Sequence, residues 1–146
     1  MSLKTITFEI VTPEQLVLRE EVLRATIPTT SGELTILPDH IPLISVLKPG
    51  VIEIQKADKE IDLMATSGGF LEVLRGKIVI LADYAQRADD LDEEVIENAR
   101  LQAEKAKQEA ENRDDIDFTD IAAKLEMELF KTKALNRWRK IKKLNN

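Results

Sequence analysis

The only histidine of the chain, His40, sits in the run Pro28 to Leu43, PTTSGELTILPDHIPL, with Glu33 on its N-terminal side. An imidazole and a carboxylate are the commonest tools of proton transfer, but neither has a serine or cysteine nucleophile placed to be activated. No nucleophile–base pair and no metal-ligand cluster can be built from this run. Three prolines and one glycine stiffen it instead. Thr30-Ser31-Gly32-Glu33 reads as a turn, because glycine tolerates φ > 0 and Ser31 can cap the bend. Leu34 to Leu37 reads as a short strand closed by Pro38. Ile41 precedes Pro42 and is therefore extended. The run reads as a surface for docking.

Two other places carry chemistry-bearing residues. Gly68-Gly69 could cradle a phosphate, but no Lys-Ser/Thr follows it, so a tight bend or bulge opening a strand is the better reading. Asp115 to Glu126 has the length of a calcium loop, with Asp115, Asp117, Thr119 and Glu126 at ligand positions. The sixth position is Asp120, where the sharp turn of such a loop needs glycine. A helix N-terminus capped by Asp117 or Thr119 fits better. With no cysteine, disulfides and thiolate metal sites are excluded.

Charge is distributed unevenly along the 146 residues. The net charge is −6 overall: −3 over residues 1–88, −10 over 89–128 and +7 over 129–146. The acidic total argues against a nucleic-acid binder. The low aromatic content argues against a base-stacking surface. An acidic segment followed by a basic tail implies self-association or an acidic partner. No apolar run approaches the roughly 20 residues that a membrane span needs. The opening MSLKTITFEIV resembles neither a signal peptide nor an Arg-rich transit peptide. A soluble protein of a reducing bacterial cytoplasm is the expectation.

The elements that position these residues fall into two halves. Residues 3–83 alternate at period two. Ile6, Phe8 and Ile10 form one strand face. Val51, Ile52 and Ile54 pair with Ile61 and Leu63 around Ala57-Asp58-Lys59, and residues 70–74 pair with 77–81 around Arg75-Gly76. Short strands with Gly or Pro between them predict a β-sandwich or flattened barrel. Residues 91–143 follow the helical period. Val95, Ile96, Ala99, Ala103, Ala106 and Ala110 predict one face of a helix from about Asp92 to Asn112. Asp89, Asp90 and Asp92 favour its N-terminus. Arg113 to Asp117 predicts a polar turn. A second helix follows from about Thr119 to Lys143. Its early stripe is Phe118, Ile121, Ala122, Leu125 and Leu129, continued by Phe130, Ala134, Trp138 and Ile141. The domains divide as 1–87 and 88–146, the second an antiparallel two-helix hairpin. An alanine seam removes little apolar area from water, so this hairpin is weakly held and able to detach.

Five segments in order, followed by a charged hairpin, resemble the epsilon subunit of the F-type ATP synthase. They are Ile10-Val11-Thr12-Pro13-Glu14, the Pro28–Leu43 run, Leu47-Lys48-Pro49-Gly50-Val51-Ile52, residues 67–73 from Ser67-Gly68-Gly69 onward, and Leu81-Ala82-Asp83 leading to Arg87-Ala88. The resemblance implies a non-catalytic rotor subunit without a cofactor. Its sandwich binds the gamma subunit and the c-ring, coupling proton flow to rotation. Its hairpin either lies on the sandwich or extends along gamma to the catalytic beta subunits and restrains ATP hydrolysis. Neither nucleic acid binding nor direct membrane insertion is implied. The bacterial type works at the cytoplasmic face of the cell membrane. Glu33 and His40 match family positions in or near the rotor contact, and the basic tail, through Arg137, Arg139 and Lys140, fits by its charge the family's contact to an acidic segment of beta. Two further readings of the tail cations rank behind the contact to beta: pairing with the acidic first helix in the folded hairpin, then plain solvation. Trp138 reads as core or interface packing. Many bacterial members bind ATP through Ile/Leu-Asp-x-x-Arg-Ala at the first helix. Here that place reads Leu91-Asp92-Glu93-Glu94-Val95-Ile96. Asp92 remains, but Val95 removes a phosphate partner and Glu93 and Glu94 add negative charge, so weak or absent ATP binding is expected.

Two rival readings come from other classes. A helical-hairpin regulator of a nucleic-acid polymerase would use an acidic tip, which residues 113–117 offer. A free ATP sensor would need the arginine that Val95 replaces.

Overall fold

The computed structural model describes residues 3–111 and 118–144. Nine strands come first: β1 (Ile6–Val11), β2 (Leu16–Thr29), β3 (Gly32–Ile36), β4 (Leu43–Leu47), β5 (Gly50–Lys56), β6 (Ile61–Thr66), β7 (Gly69–Leu74), β8 (Lys77–Ala82) and β9 (Ala85–Arg87). A 3-10 turn, Ala88–Asp90, leads to α1 (Glu93–Glu111), and α2 (Phe118–Leu144) follows. The polar turn expected over Arg113–Asp117, the Asp117 cap and the acidic tip lie outside the described residues. Thr119 lies inside α2, so it is not the cap.

The strand order is β1-β8-β7-β4-β2-β5-β6-β9, with β3 on β2 and a further β1–β2 pairing. That last pairing closes a ring through β1, β8, β7, β4 and β2, which flattens into a sandwich as β2 continues alongside β5. β1 lies parallel to β8; the other pairs are antiparallel. Simple alternation does not find β2. Arg19, Glu20 and Glu21 interrupt its apolar residues, and a register shift between Val22 and Arg24 changes which parity points inward. The long strand works because its first half pairs β1 and its second half pairs β3 and β5.

Inside the sandwich, Ile6, Phe8, Ile10, Ile27, Ile52, Ile54, Met64, Leu71, Ile78 and Ile80 are fully buried. The alternating faces expected for β1, β5, β7 and β8 are all met. The turn before β3 is a two-residue hairpin over Thr30-Ser31, closed by the Thr29–Gly32 pair. Thr29 braces it, not Ser31: its Oγ1 donates to the Gly32 carbonyl at 2.6 Å and accepts from the Ser31 N–H at 3.2 Å. The Gly68-Gly69 bend has positive φ at both residues. A Cβ on Gly69 would stand 1.9 Å from the Leu81 carbonyl oxygen, so β7 reaches β8 only through a glycine.

A second cluster joins the sandwich to the helices: Leu63, Ala65, Ala88, Leu91, Ile96, Ala134 and Leu135, with Met127, Trp138 and Ile141 packed around it. β6 is thus buried on both faces. α2 lies between β6 and α1, and α1 reaches the rest of the molecule mainly through α2. The helices run antiparallel: Glu93 at the start of α1 bonds Arg139 near the end of α2. The buried face of α1 is Ile96 and Ala110, with Ala99, Ala103 and Ala106 half-buried between them. Val95 was expected on that face but is 63% exposed, since the face turns on Ile96 one residue later. Ala122 and Leu129 also point to solvent, because the side of α2 that meets β6 follows Met127, Ala134 and Leu135 instead.

Candidate functional site

Two surfaces stand out. The first is the outer face of β4, β7 and β8. The register places Val46 opposite Phe70 and Phe70 opposite Leu81, so the three form one cross-strand row. They are 46%, 59% and 52% exposed, and Ile44 on the same strand face as Val46 is 76% exposed. Leu37, Ile41 and Leu74 add further exposed apolar side chains. An apolar row of this kind on a small monomer marks an interaction surface. The sequence carries its signal in residues 78–81, apolar on both strand faces, and in residues 70–74, where Glu72 alone interrupts Phe70 and Leu74 on the outer face. One face fills the core and the other is left over for a partner.

Glu33 lies on β3, and His40 lies in the connection from β3 to β4. Glu33 is exposed on β3, across from Pro28, and lines a groove with Lys48, Phe130, Lys133 and Arg137. His40 is half-buried between β3 and β4. Its Nδ1 is 2.7 Å from the Ile41 carbonyl, and its backbone N–H donates to the Leu37 carbonyl at 3.2 Å. Asp39 beside it holds φ at 65° and accepts from Lys4 at 2.7 Å. Among the described residues no His, Cys, Asp or Glu cluster could hold a metal ion.

The second surface is the contact between α2 and the sandwich. Arg137 donates to Glu53 on β5 at 2.6 Å, and Arg24 holds the other carboxylate oxygen at 3.2 Å. Arg139 pairs with Glu93 at 2.9 Å. Lys140 forms no ion pair among the described residues. The three basic residues therefore have three different situations: one bound to the sandwich, one to α1 and one open. Lys131 lies over the Tyr84 ring, 4.7 Å from its centroid, and pairs with Glu128 at 3.0 Å. Burial raises the Tyr84 hydroxyl above its ordinary pKa, opposed by Lys131. Burial also pulls the Lys131 ammonium down, but Glu128 and Tyr84 outweigh it and leave it raised. Trp138 packs half-buried on this contact, with Lys142 over its ring at 5.6 Å.

Asp92 is a helix cap. Its Oδ1 accepts from the N–H groups of Glu94 at 2.9 Å and Val95 at 3.4 Å, and its carbonyl accepts the first α-helical bond from Ile96. The expected nucleotide residue is thus engaged in starting α1.

Comparison with known proteins agrees with this architecture. Residues 5–88 match the model of the ATP synthase Delta/Epsilon chain β-sandwich domain. The ATP synthase epsilon chain of Herpetosiphon aurantiacus is 45% identical over 117 residues, 80% of this chain and 85% of that one. The epsilon chain of Desulforamulus reducens is 46% identical over 110 residues, 75% and 77% of the two chains. Among solved structures, a chain of the Euglena gracilis mitochondrial ATP synthase superposes with a TM-score of 0.69 at 24% identity, covering 91% of this chain and 80% of that one. A chain of the Tetrahymena thermophila central stalk and c-ring gives 0.60 at 17% identity, covering 92% and 99%. These last two show the shared fold. A nine-stranded sandwich followed by two helices, with relatives this similar over most of their length, means that the chain belongs to the ATP synthase epsilon-chain family.

Proposed function

We propose that the chain is a non-catalytic rotor subunit of the central stalk, joining the gamma subunit and the c-ring and restraining ATP hydrolysis through its helices. The observation that carries this reading is the exposed Val46–Phe70–Leu81 row. It is an apolar surface that the chain's own helices leave open while they cover β6. The gamma subunit is its proposed occupant, with Glu33 on β3 and His40 in the β3–β4 connection as further rotor contacts. The bacterial relatives favour the cytoplasmic face of the membrane. Among the described residues no helix is long and apolar enough to cross it. The chain divides functionally at Arg87, with 1–87 for rotor binding and 88–146 for regulation. Asp92 serves α1, and Val95 offers no phosphate contact, which supports weak or absent ATP binding.

Regulation is proposed to reside in Arg137, Arg139 and Lys140. In the folded arrangement Arg137 and Arg139 are occupied by Glu53 and Glu93. An acidic surface on the beta subunit would compete for the same guanidinium groups, whereas Lys140 is open. The test is reconstitution of the complex with full-length chain and with a chain ending at Arg87. Both should carry gamma and c subunits, and only the truncated one should show raised ATPase. Loss of gamma on Phe70→Asp would support the docking row. Retained gamma binding by that variant would refute it.

A further inference from the structure

The stripe by which α2 meets the sandwich runs Met127, Lys131, Ala134, Leu135 and Trp138, stepping by three and four residues. Lys131 occupies a slot in this stripe that the pattern reserves for an apolar side chain. Its side chain is only 18% exposed, and that of its partner Glu128 only 13%. Glu128 uses one carboxylate oxygen on Lys131; the other, Oε2, is buried with no hydrogen-bond partner among the described residues. A buried pair with an unsatisfied oxygen stabilises less than apolar side chains of the same volume.

We propose that the Lys131–Glu128 pair is a tuning element that keeps α2 loosely docked, and that it travels with the helix. Both members belong to α2, three residues apart, so α2 leaves the sandwich with its charges still paired. The sandwich side is compensated in the same way. Arg24 still holds Glu53 after Arg137 departs, and Arg87 holds Asp62 at 2.8 Å within the sandwich. The ring of Tyr84 supplies a face that attracts the ammonium group without requiring a counter-charge on the sandwich. The only cross-contact ion pair between α2 and the strands among the described residues is Arg137–Glu53. The contact separates without leaving an unpaired buried charge on either side. This deepens the proposed regulatory role and rests on the reading that the helices detach.

The test is hydrogen exchange of the full-length chain, with β1 and β8 as internal controls. Replacing both members, Lys131→Met with Glu128→Leu, should slow exchange in α2 by roughly tenfold, as an apolar substitute for a buried pair does. Lys131→Met alone should speed it, since Glu128 is then buried without its partner. Unchanged or faster exchange in the double variant overturns the proposal. So does slowing by the single variant equal to that of the double. Glu128→Gln with Lys131→Met is a second neutral pair, expected to move in the same direction should the first not fold. Slower exchange combined with unchanged ATPase in the assembled complex upholds the tuning of α2 docking and refutes the restraint of hydrolysis by the helices.

Discussion

Arg137 of α2 and Arg24 of β2 grip opposite oxygens of the same carboxylate, Glu53, at 2.6 and 3.2 Å. One guanidinium belongs to the helices and the other to the strands, so Glu53 is a shared acceptor. Arg137→Gln is expected to weaken docking of α2 by less than about 1 kcal/mol, because both arginines are partly exposed and screened by solvent. Raising salt from low to physiological strength should have the same direction of effect on the native chain. Trp138 fluorescence reports it, and an emission maximum indifferent to both changes would discount the contact.

The three tail cations are not equivalent probes of inhibition. Replacing Arg137 or Arg139 removes a contact of the folded helices as well as any contact to beta, and the two losses oppose each other. Lys140→Gln changes only the open cation. Its expected outcome is raised latent ATPase in the assembled complex with hydrogen exchange of α2 in the isolated chain unchanged. A rise in exchange would mean that Lys140 supports the folded arrangement instead.

Gly69→Ala is expected to destabilise the sandwich by about 2–4 kcal/mol, through a backbone clash and a strained φ together. The added carbon would sit 1.9 Å from the Leu81 oxygen, where only movement of β8 could make room. Gly32→Ala has open space around its Cβ but also a positive φ, so about 1 kcal/mol is expected. Urea denaturation distinguishes them, and equal midpoints would contradict the close approach of β7 to β8.

The strands that alternate cleanly were legible in the sequence, and so were the two-helix ending and the glycine bend. β2 was not, because its charges at Arg19 and Glu21 are satisfied across the sheet by groups that only the fold brings near. Thr5 and Thr7 donate to Glu21, and Arg19 donates to Glu9. The helix stripes were legible in period but off in phase. Val95 and Leu129 fit a helical repeat, yet only the three-dimensional neighbours decide which side of the repeat meets β6. Leu63 and Ala65 show the same limit: alternation would turn their apolar face into the sandwich and Asp62, Met64 and Thr66 outward, yet Met64 joins the sandwich core and α2 covers Leu63 and Ala65. For the candidate site, the cap role of Asp92 was readable from its position, whereas the engagement of Arg137 with Glu53, 84 residues away, was not.

Glu9 gives the fold a defined acid sensitivity. Its hydrogen bond to Lys77 depresses the carboxyl below its usual value of 4.5; burial opposes this, and Arg19 at 2.9 Å adds to it. A depressed folded value means that its stabilisation is complete above about pH 4.5 and is lost as pH falls through the folded value. Lys77→Met should therefore lower stability at pH 7 and flatten its decline below pH 4.5. Denaturation midpoints across pH 2.5–7 measure both, and parallel curves for the variant and the native chain would rule out this linkage.

Asp92→Ala should cost about 1 kcal/mol, confined to α1, by removing the cap on the Glu94 and Val95 N–H groups. Calorimetric titration of the native chain with ATP should show no micromolar binding. Micromolar heat that disappears in Asp92→Ala would restore the nucleotide reading.

A chain ending at Arg87 tests the division of the fold. The sandwich keeps its own buried cluster, from Ile6 and Phe8 through Ile80, none of which belongs to the helices. It should therefore still fold cooperatively. The cost lies on β6, where Leu63 and Ala65 are fully buried only because α2 covers them. Removing the helices turns that cover into an exposed apolar patch beside Val51 and Ile61, so the truncated chain should self-associate at high concentration. Leu63→Lys in the truncated chain should restore the monomer, and sedimentation distinguishes the two. The same substitution in the full chain should release α2. A full-length Leu63→Lys variant with native exchange in α2 would show that the helices are held elsewhere than on β6.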